Sequence, residues 1–162
     1  MNLDLNVNFE NKQIEGKASL KIENKTQTDS IILDTYELAI EKVTLGSDEK
    51  DTEYYLGKKD SVLGKPLIIK IHPETKIVNV YYSTSDNATA LQWLKPEQTA
   101  DGNHPFLFTQ SQAVHARSWI PCQDSPGVRF TYDAKVTVPK DLLALMSAKN
   151  PKRKNDSGVY EF

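Results

Sequence analysis

The residues able to do chemistry crowd into one stretch, Leu91 to Pro126. It holds both tryptophans (Trp93 and Trp119), the sole cysteine (Cys122), and two of the three histidines (His104 and His115). It also carries the glutamine pair Gln110 and Gln112. A histidine and a carboxylate such as His115 and Asp124 are two parts of a hydrolytic triad. The third part is missing, because no serine or cysteine sits on a recognisable nucleophile elbow. A structural reading fits these residues better. Arg117 and Asp124 are expected to form a partly buried ion pair that braces the loop. Cys122 reads as a small packed residue, since free cysteines are often buried and inert, and Trp119 reads as packing. The three histidines, His72, His104 and His115, show neither H-E-x-x-H nor any other tight ligand spacing, so no catalytic metal site is expected within the chain. Gln110 and Gln112, on residue type alone, read as ordinary loop residues.

Composition narrows the class further. The chain has 162 residues, 26% of them charged and 38% hydrophobic, which suits one globular domain with its own core. Net charge is −2, leaving no basic excess to neutralise phosphates, so nucleic acid is not an expected partner. The one basic cluster, Lys152, Arg153 and Lys154, reads as a solvated loop. No apolar run approaches the roughly 18 residues of a membrane span, and Met-Asn-Leu-Asp-Leu is no secretory leader. One cysteine permits no internal disulfide, which points to a reducing, cytoplasmic compartment.

The elements that must position this stretch read as strands. Leu3, Leu5, Val7 and Phe9 alternate with polar residues, the period of a half-buried strand. Ile14, Gly16, Ala18, Leu20 and Ile22 continue the alternation after the turn Glu10-Asn11-Lys12, which predicts an antiparallel hairpin. Further strands are expected at Ser30 to Asp34, Leu38 to Leu45, Leu67 to Ile71 and Ile77 to Ser83. The longest alternation, Val128 to Val138, predicts a strand stopped by Pro139. Helical signals are confined to single turns at Ser111 to Ala116 and Asp141 to Ala148. The expected fold class is therefore nearly all-β, a sandwich or a large curved sheet. Lys149 to Gly158 reads as an exposed loop. Val159 to Phe162 opens an apolar strand and stops, which reads as one domain, 1–162, truncated at its C-terminal end. A sheet edge left open there would favour self-association.

Three consecutive motifs carry a resemblance. Ala90-Leu91-Gln92-Trp93-Leu94-Lys95-Pro96-Glu97-Gln98-Thr99 resembles the "A-L-x-W-L-x-P-x-Q-T" segment of the leukotriene hydrolase family of zinc aminopeptidases. Pro105-Phe106-Leu107-Phe108-Thr109-Gln110-Ser111-Gln112-Ala113-Val114-His115-Ala116-Arg117 is similar to that family's "P-Y-L-F-S-Q-x-Q-A-I-H-x-R". Pro121-Cys122-Gln123-Asp124-Ser125-Pro126 matches the "P-C-x-D-x-P" of the wider aminopeptidase N superfamily. The strand and turn from Thr131 to Ala148 follow in the right order. The dense likeness covers Thr89 to Ala148, and Leu3 to Ile22 fit more loosely.

The resemblance implies a saddle-like N-terminal domain with a large curved mixed sheet and smaller sheets. It implies a parent whose next domain carries the zinc ligands, with a helical domain closing the other side. Those two domains are the partners it implies, together with a peptide substrate bearing a free N-terminus. Zinc is then a cofactor of the parent and not of this chain, which contributes no catalytic residue. Gln112 would accept a hydrogen bond from the substrate amine, Gln110 would line the same pocket, and the Gln112–Ala113 peptide would be cis. Two readings stay open beside it. One is a stand-alone β-domain that binds a protein or sugar, and the other is an additional epoxide hydrolase activity in the parent.

Overall fold

The structure, a computed structural model, describes residues 1–162. Twelve strands form three sheets: β1 (Asn2–Asn8), β2 (Gln13–Lys21), β3 (Ser30–Thr35), β4 (Ala39–Leu45), β5 (Lys50–Asp51), β6 (Tyr54–Leu56), β7 (Lys65–Lys70), β8 (Ile77–Ser83), β9 (Leu91–Leu94), β10 (Phe106–Thr109), β11 (Asp133–Thr137) and β12 (Val159–Glu161). The large sheet runs β12-β11-β1-β2-β8-β4-β5, and smaller ones run β3-β7-β6 and β10-β9. Every pairing is antiparallel except β1 with β11, so the large sheet is mixed. The only helical pieces are two single 3₁₀ turns, Pro96–Gln98 and Ala116–Ser118.

The alternation at the start of the chain places the first hairpin. Leu3, Leu5 and Val7 are buried while the residues between them face out. β2 pairs along all of β1, with Leu5 opposite Gly16, and Gly16 is in turn opposite Tyr82 of β8. A Cβ on Gly16 would come within 2.8 Å of the Leu5 side chain and 3.3 Å of the Tyr82 ring. Glycine at this position lets the two large side chains meet across a strand. β8 lies inside the sheet, between β2 and β4. Val78, Val80 and Tyr82 fill its inner face, and Asn79 on the other face is satisfied by the Ser19 and Thr44 hydroxyls and the Gly46 carbonyl. Leu33 of β3 and Leu67 and Ile69 of β7 join the same continuous core, each burial adding about 1.5–3 kcal/mol.

Two expected elements differ. The strand predicted over Val128 to Val138 is ordered as a strand only from Asp133 to Thr137. It pairs with β12 on one side and with β1 on the other, there in the register Asn2 with Asp133. Beyond that point the pairing ends on Met1, whose ammonium donates to the Thr131 carbonyl at 2.8 Å. Val128 is instead tied into a turn through Ser125, and Val128 and Phe130 are exposed. Alternation describes a face, whereas a strand also needs a partner backbone. The turn expected at Asp141 to Ala148 is irregular. Asn150 caps both the amide and the carbonyl of Met146 with its side chain, an alternative to helical bonding.

β12 lies at one outer edge of the large sheet and β5 at the other. Of the expected exposed loop Lys149 to Gly158, all but half-buried Pro151 and buried Gly158 are exposed. No helix is long and apolar enough to cross a membrane.

Candidate functional site

The segment singled out by its chemistry begins on the β9–β10 hairpin. Trp93 of β9 packs edge-on against Phe9, ring centroids 5.3 Å apart, which fixes the hairpin to the first strand pair. The loop between the two strands is closed by Asp101. One of its carboxylate oxygens accepts from the Asn103 and His104 amides, and the other meets His104 Nδ1 at 2.6 Å. These bonds, the Asn103 amide first, hold the Asp101 carboxyl well below the usual carboxylate range. His104 is thus spoken for within its own loop.

β10 leads directly into Gln110, Ser111, Gln112 and Ala113. The chain turns back because Ala90, fully buried, is bonded on both its backbone groups. Its carbonyl accepts from the Gln110 amide at 2.9 Å, and its amide donates to Ser118 Oγ at 2.9 Å. Ser118 in turn donates to the His115 carbonyl at 2.8 Å. His115 Nδ1 lies 2.9 Å from Thr89 Oγ1. Between these two ends the loop stands out of the surface, and Gln110, Gln112 and Ala113 are all exposed. The Gln112–Ala113 peptide is cis. Gln110 Oε1 accepts the Gln112 amide at 3.1 Å, so that oxygen is turned to its neighbour's backbone. The Gln112 side-chain amide is exposed and makes no hydrogen bond within the chain.

Arg117, on the second 3₁₀ turn, anchors the loop below. Its side chain is 4% exposed and that of Asp124 9%, with Nε 3.0 Å from Asp124 Oδ2. The same carboxylate oxygen accepts the Arg117 amide at 3.1 Å, and the guanidinium also donates to the carbonyls of Asp124 (2.6 Å) and Leu63 (3.0 Å). Asp34 of β3 approaches Nη1 at 3.5 Å and accepts the Asp124 amide at 2.8 Å. The expected pair is therefore one edge of a network with two partners that sequence spacing did not suggest, Asp34 and Leu63. A further bridge, Asp34 to Cys122, stitches this segment to β3. His115 and Asp124 face different partners, Thr89 and Arg117, so they make no acid–base couple.

Cys122 is 2% exposed. Burial pushes its thiol up to about 12, with Asp124 and Asp34 adding to the effect. The thiolate is the reactive form, and a raised value keeps it scarce at neutral pH. The folded chain should therefore resist iodoacetamide at pH 8 and label fully in urea. Labelling at the rate of a free thiol in the folded state would show the packing to be wrong.

No three His, Cys, Asp or Glu side chains converge in a way that could hold a metal ion. The residues present do not fit a zinc site.

The whole chain, residues 1–162, matches the family described as the Peptidase M1 N-terminal domain. The chain belongs to this family. Among curated proteins, this M1 N-terminal domain is 45% identical over 154 residues to leukotriene A-4 hydrolase of Xenopus laevis. That likeness covers 91% of the chain and 25% of the relative. It is 36% identical over 148 residues to leucine aminopeptidase 2 of Sclerotinia sclerotiorum, covering 87% and 24%. The M1 N-terminal domain thus spans about a quarter of the length of the relatives it matches. Its fold superimposes on native yeast LTA4 hydrolase with a TM-score of 0.82 and 29% identity, over 100% of this chain and 26% of that one. It superimposes on the M1 zinc metallopeptidase of Deinococcus radiodurans with a TM-score of 0.72 at 15% identity, covering 99% and 36%, a likeness of fold alone. The nearly all-β architecture with a large mixed sheet and smaller sheets is the one these structures share.

Thr89, Ala90, Ser118, Asp34 and Leu63 are the site's supporting residues that sequence reading missed. None lies in a spacing that signals its role, since each makes a contact across 26 residues or more.

Proposed function

We propose that this domain is the non-catalytic N-terminal part of a longer zinc aminopeptidase and supplies Gln112 to the site that recognises the substrate's free amine. An α-ammonium offers three donors and no acceptor, so its site must be built from oxygens. The carbonyl oxygen of a glutamine amide is such a group, and it adds no charge. The observation that carries the reading is the unpartnered Gln112 side chain on a loop braced at both ends. Gln110 lines the same pocket and holds the Gln112 backbone, and Ala113 completes the edge facing the substrate. The metal chemistry falls to residues outside these 162, in a catalytic domain that with a helical domain packs against this one. The free side of β12 offers a place for a further strand, from those domains or from a second copy. A cytoplasmic location fits the single, buried thiol.

The test is Gln112→Leu in the longer protein. Losing a hydrogen bond to a charged group costs about 1–3 kcal/mol, so kcat/KM on a leucyl-naphthylamide should fall roughly 5- to 150-fold. Unchanged kinetics would remove Gln112 from the site. A second reading adds leukotriene A-4 hydrolysis by the longer protein, favoured by the 45% identity to the Xenopus relative.

A further inference from the structure

We infer that the hydrogen bond between the Trp119 indole and Ser111 is the contact that positions Gln112, an inference resting on the role proposed for Gln112 above. Ser111 lies between the two glutamines, and its Oγ accepts Trp119 Nε1–H at 3.0 Å. Its carbonyl accepts the His115 amide at 2.9 Å. From Gln110 to Val114, this is the only side-chain hydrogen bond from the loop to the body of the domain. The Gln110 side chain bonds only to the loop's own Gln112 amide, and Gln112, Ala113 and Val114 make no side-chain hydrogen bond. Trp119 itself is well held. It packs against the core, its amide donates to the Ala116 carbonyl at 3.0 Å, and its neighbours Ser118 and Ile120 are buried. The indole therefore transmits a fixed position to the residue next to Gln112.

The physical consequence follows from how binding sites lose affinity. A group held in place by a locked neighbour meets its ligand without first being ordered, while a loosened one must lose that freedom on binding. Ser111 and Trp119 are positioning residues, and neither is assigned a contact with substrate. Cutting their bond should weaken recognition of the amine and leave the rest of the pocket as it was.

The experiment compares two competitive inhibitors of the longer enzyme, leucine hydroxamate and its des-amino counterpart, 4-methylpentanoyl hydroxamate. Both share every group except the amine, so the ratio of their inhibition constants reports amine recognition alone. Ser111→Ala removes the acceptor, and Trp119→Phe removes the donor while keeping an aromatic ring in the core. Each should cut the ratio about tenfold, and the double variant should be no worse than either single one. Ser111→Thr, which keeps the hydroxyl, should restore most of the ratio. A purely structural role would raise both constants together, leave the ratio fixed, and overturn the inference. Gln112→Leu separates the two levels of the argument. If it collapses the ratio while Ser111→Ala and Trp119→Phe do not, the positioning role alone fails. If Gln112→Leu leaves the ratio intact, the reading of Gln112 fails and the inference goes with it.

Discussion

Replacing Arg117 with methionine should destabilise the domain by about 3–5 kcal/mol, read as a lower urea midpoint at an unchanged slope. Methionine keeps an apolar stem of similar reach, so packing is largely preserved and the loss reports the charge. What remains after the substitution is the Asp124 carboxylate, with a side chain only 9% exposed, deprived of its cation. The carbonyls of Leu63 and Asp124 lose their donors as well. Leaving a buried charge unpaired is far costlier than the net worth of the pair. The double variant Arg117→Met with Asp124→Asn should therefore lose less than the sum of the two single changes. A loss below about 1 kcal/mol for Arg117→Met would mean that water reaches the carboxylate and the network is a surface one.

That network shows how far the sequence could be read. Arg117 and Asp124 lie seven positions apart in two adjacent motifs, so their pairing could be expected from residue types. Asp34 and Leu63 could not, because β3 and the turn before β7 reach this point only once the small sheet has packed against the large one. Strands were legible where a face is buried along its whole length, as in Leu3-Leu5-Val7 and in Val78-Val80-Tyr82. They were overread at Val128 to Tyr132, where the alternation persists but β1 supplies no backbone beyond Met1. The β9–β10 hairpin was missed for the opposite reason. Only its inner positions, such as Trp93 and Leu107, pack on the core, while Phe106 and Phe108 stay exposed, so no clean period marks it. Gln112 was legible through family resemblance alone. Nothing in its own residue type separates a ligand-facing glutamine from a solvated one, and the supports of its loop come from Ala90, Thr89 and Trp119.

The same junction makes a second strong prediction at Gly64. Gly64 has φ +76, and a Cβ added there would sit 2.2 Å from the Thr35 carbonyl oxygen and 2.9 Å from Tyr36 Cα. Those are backbone atoms of β3 and its exit, so no side chain can swing aside. Gly64→Ala should cost about 3 kcal/mol, combining left-handed backbone strain of roughly 1–2 kcal/mol with the displacement of β3. Gly102 is the control. It too has positive φ, 65°, but nothing lies within 4 Å of its added Cβ, so Gly102→Ala should lose only about 1 kcal/mol. Equal losses at the two positions would show that the approach to Thr35 does not matter. Gly64 also ends the turn begun by Asp60, whose carboxylate accepts the Val62 and Leu63 amides at 2.7 and 2.8 Å. Leu63 presents its carbonyl to Arg117 from that turn. Disturbing Gly64 should therefore already loosen the Arg117 network, and Gly64→Ala combined with Arg117→Met should lose measurably less than the two losses added. Strict additivity would place the turn and the arginine in separate units, and the brace under the Gln112 loop would then end at Asp34 and Asp124.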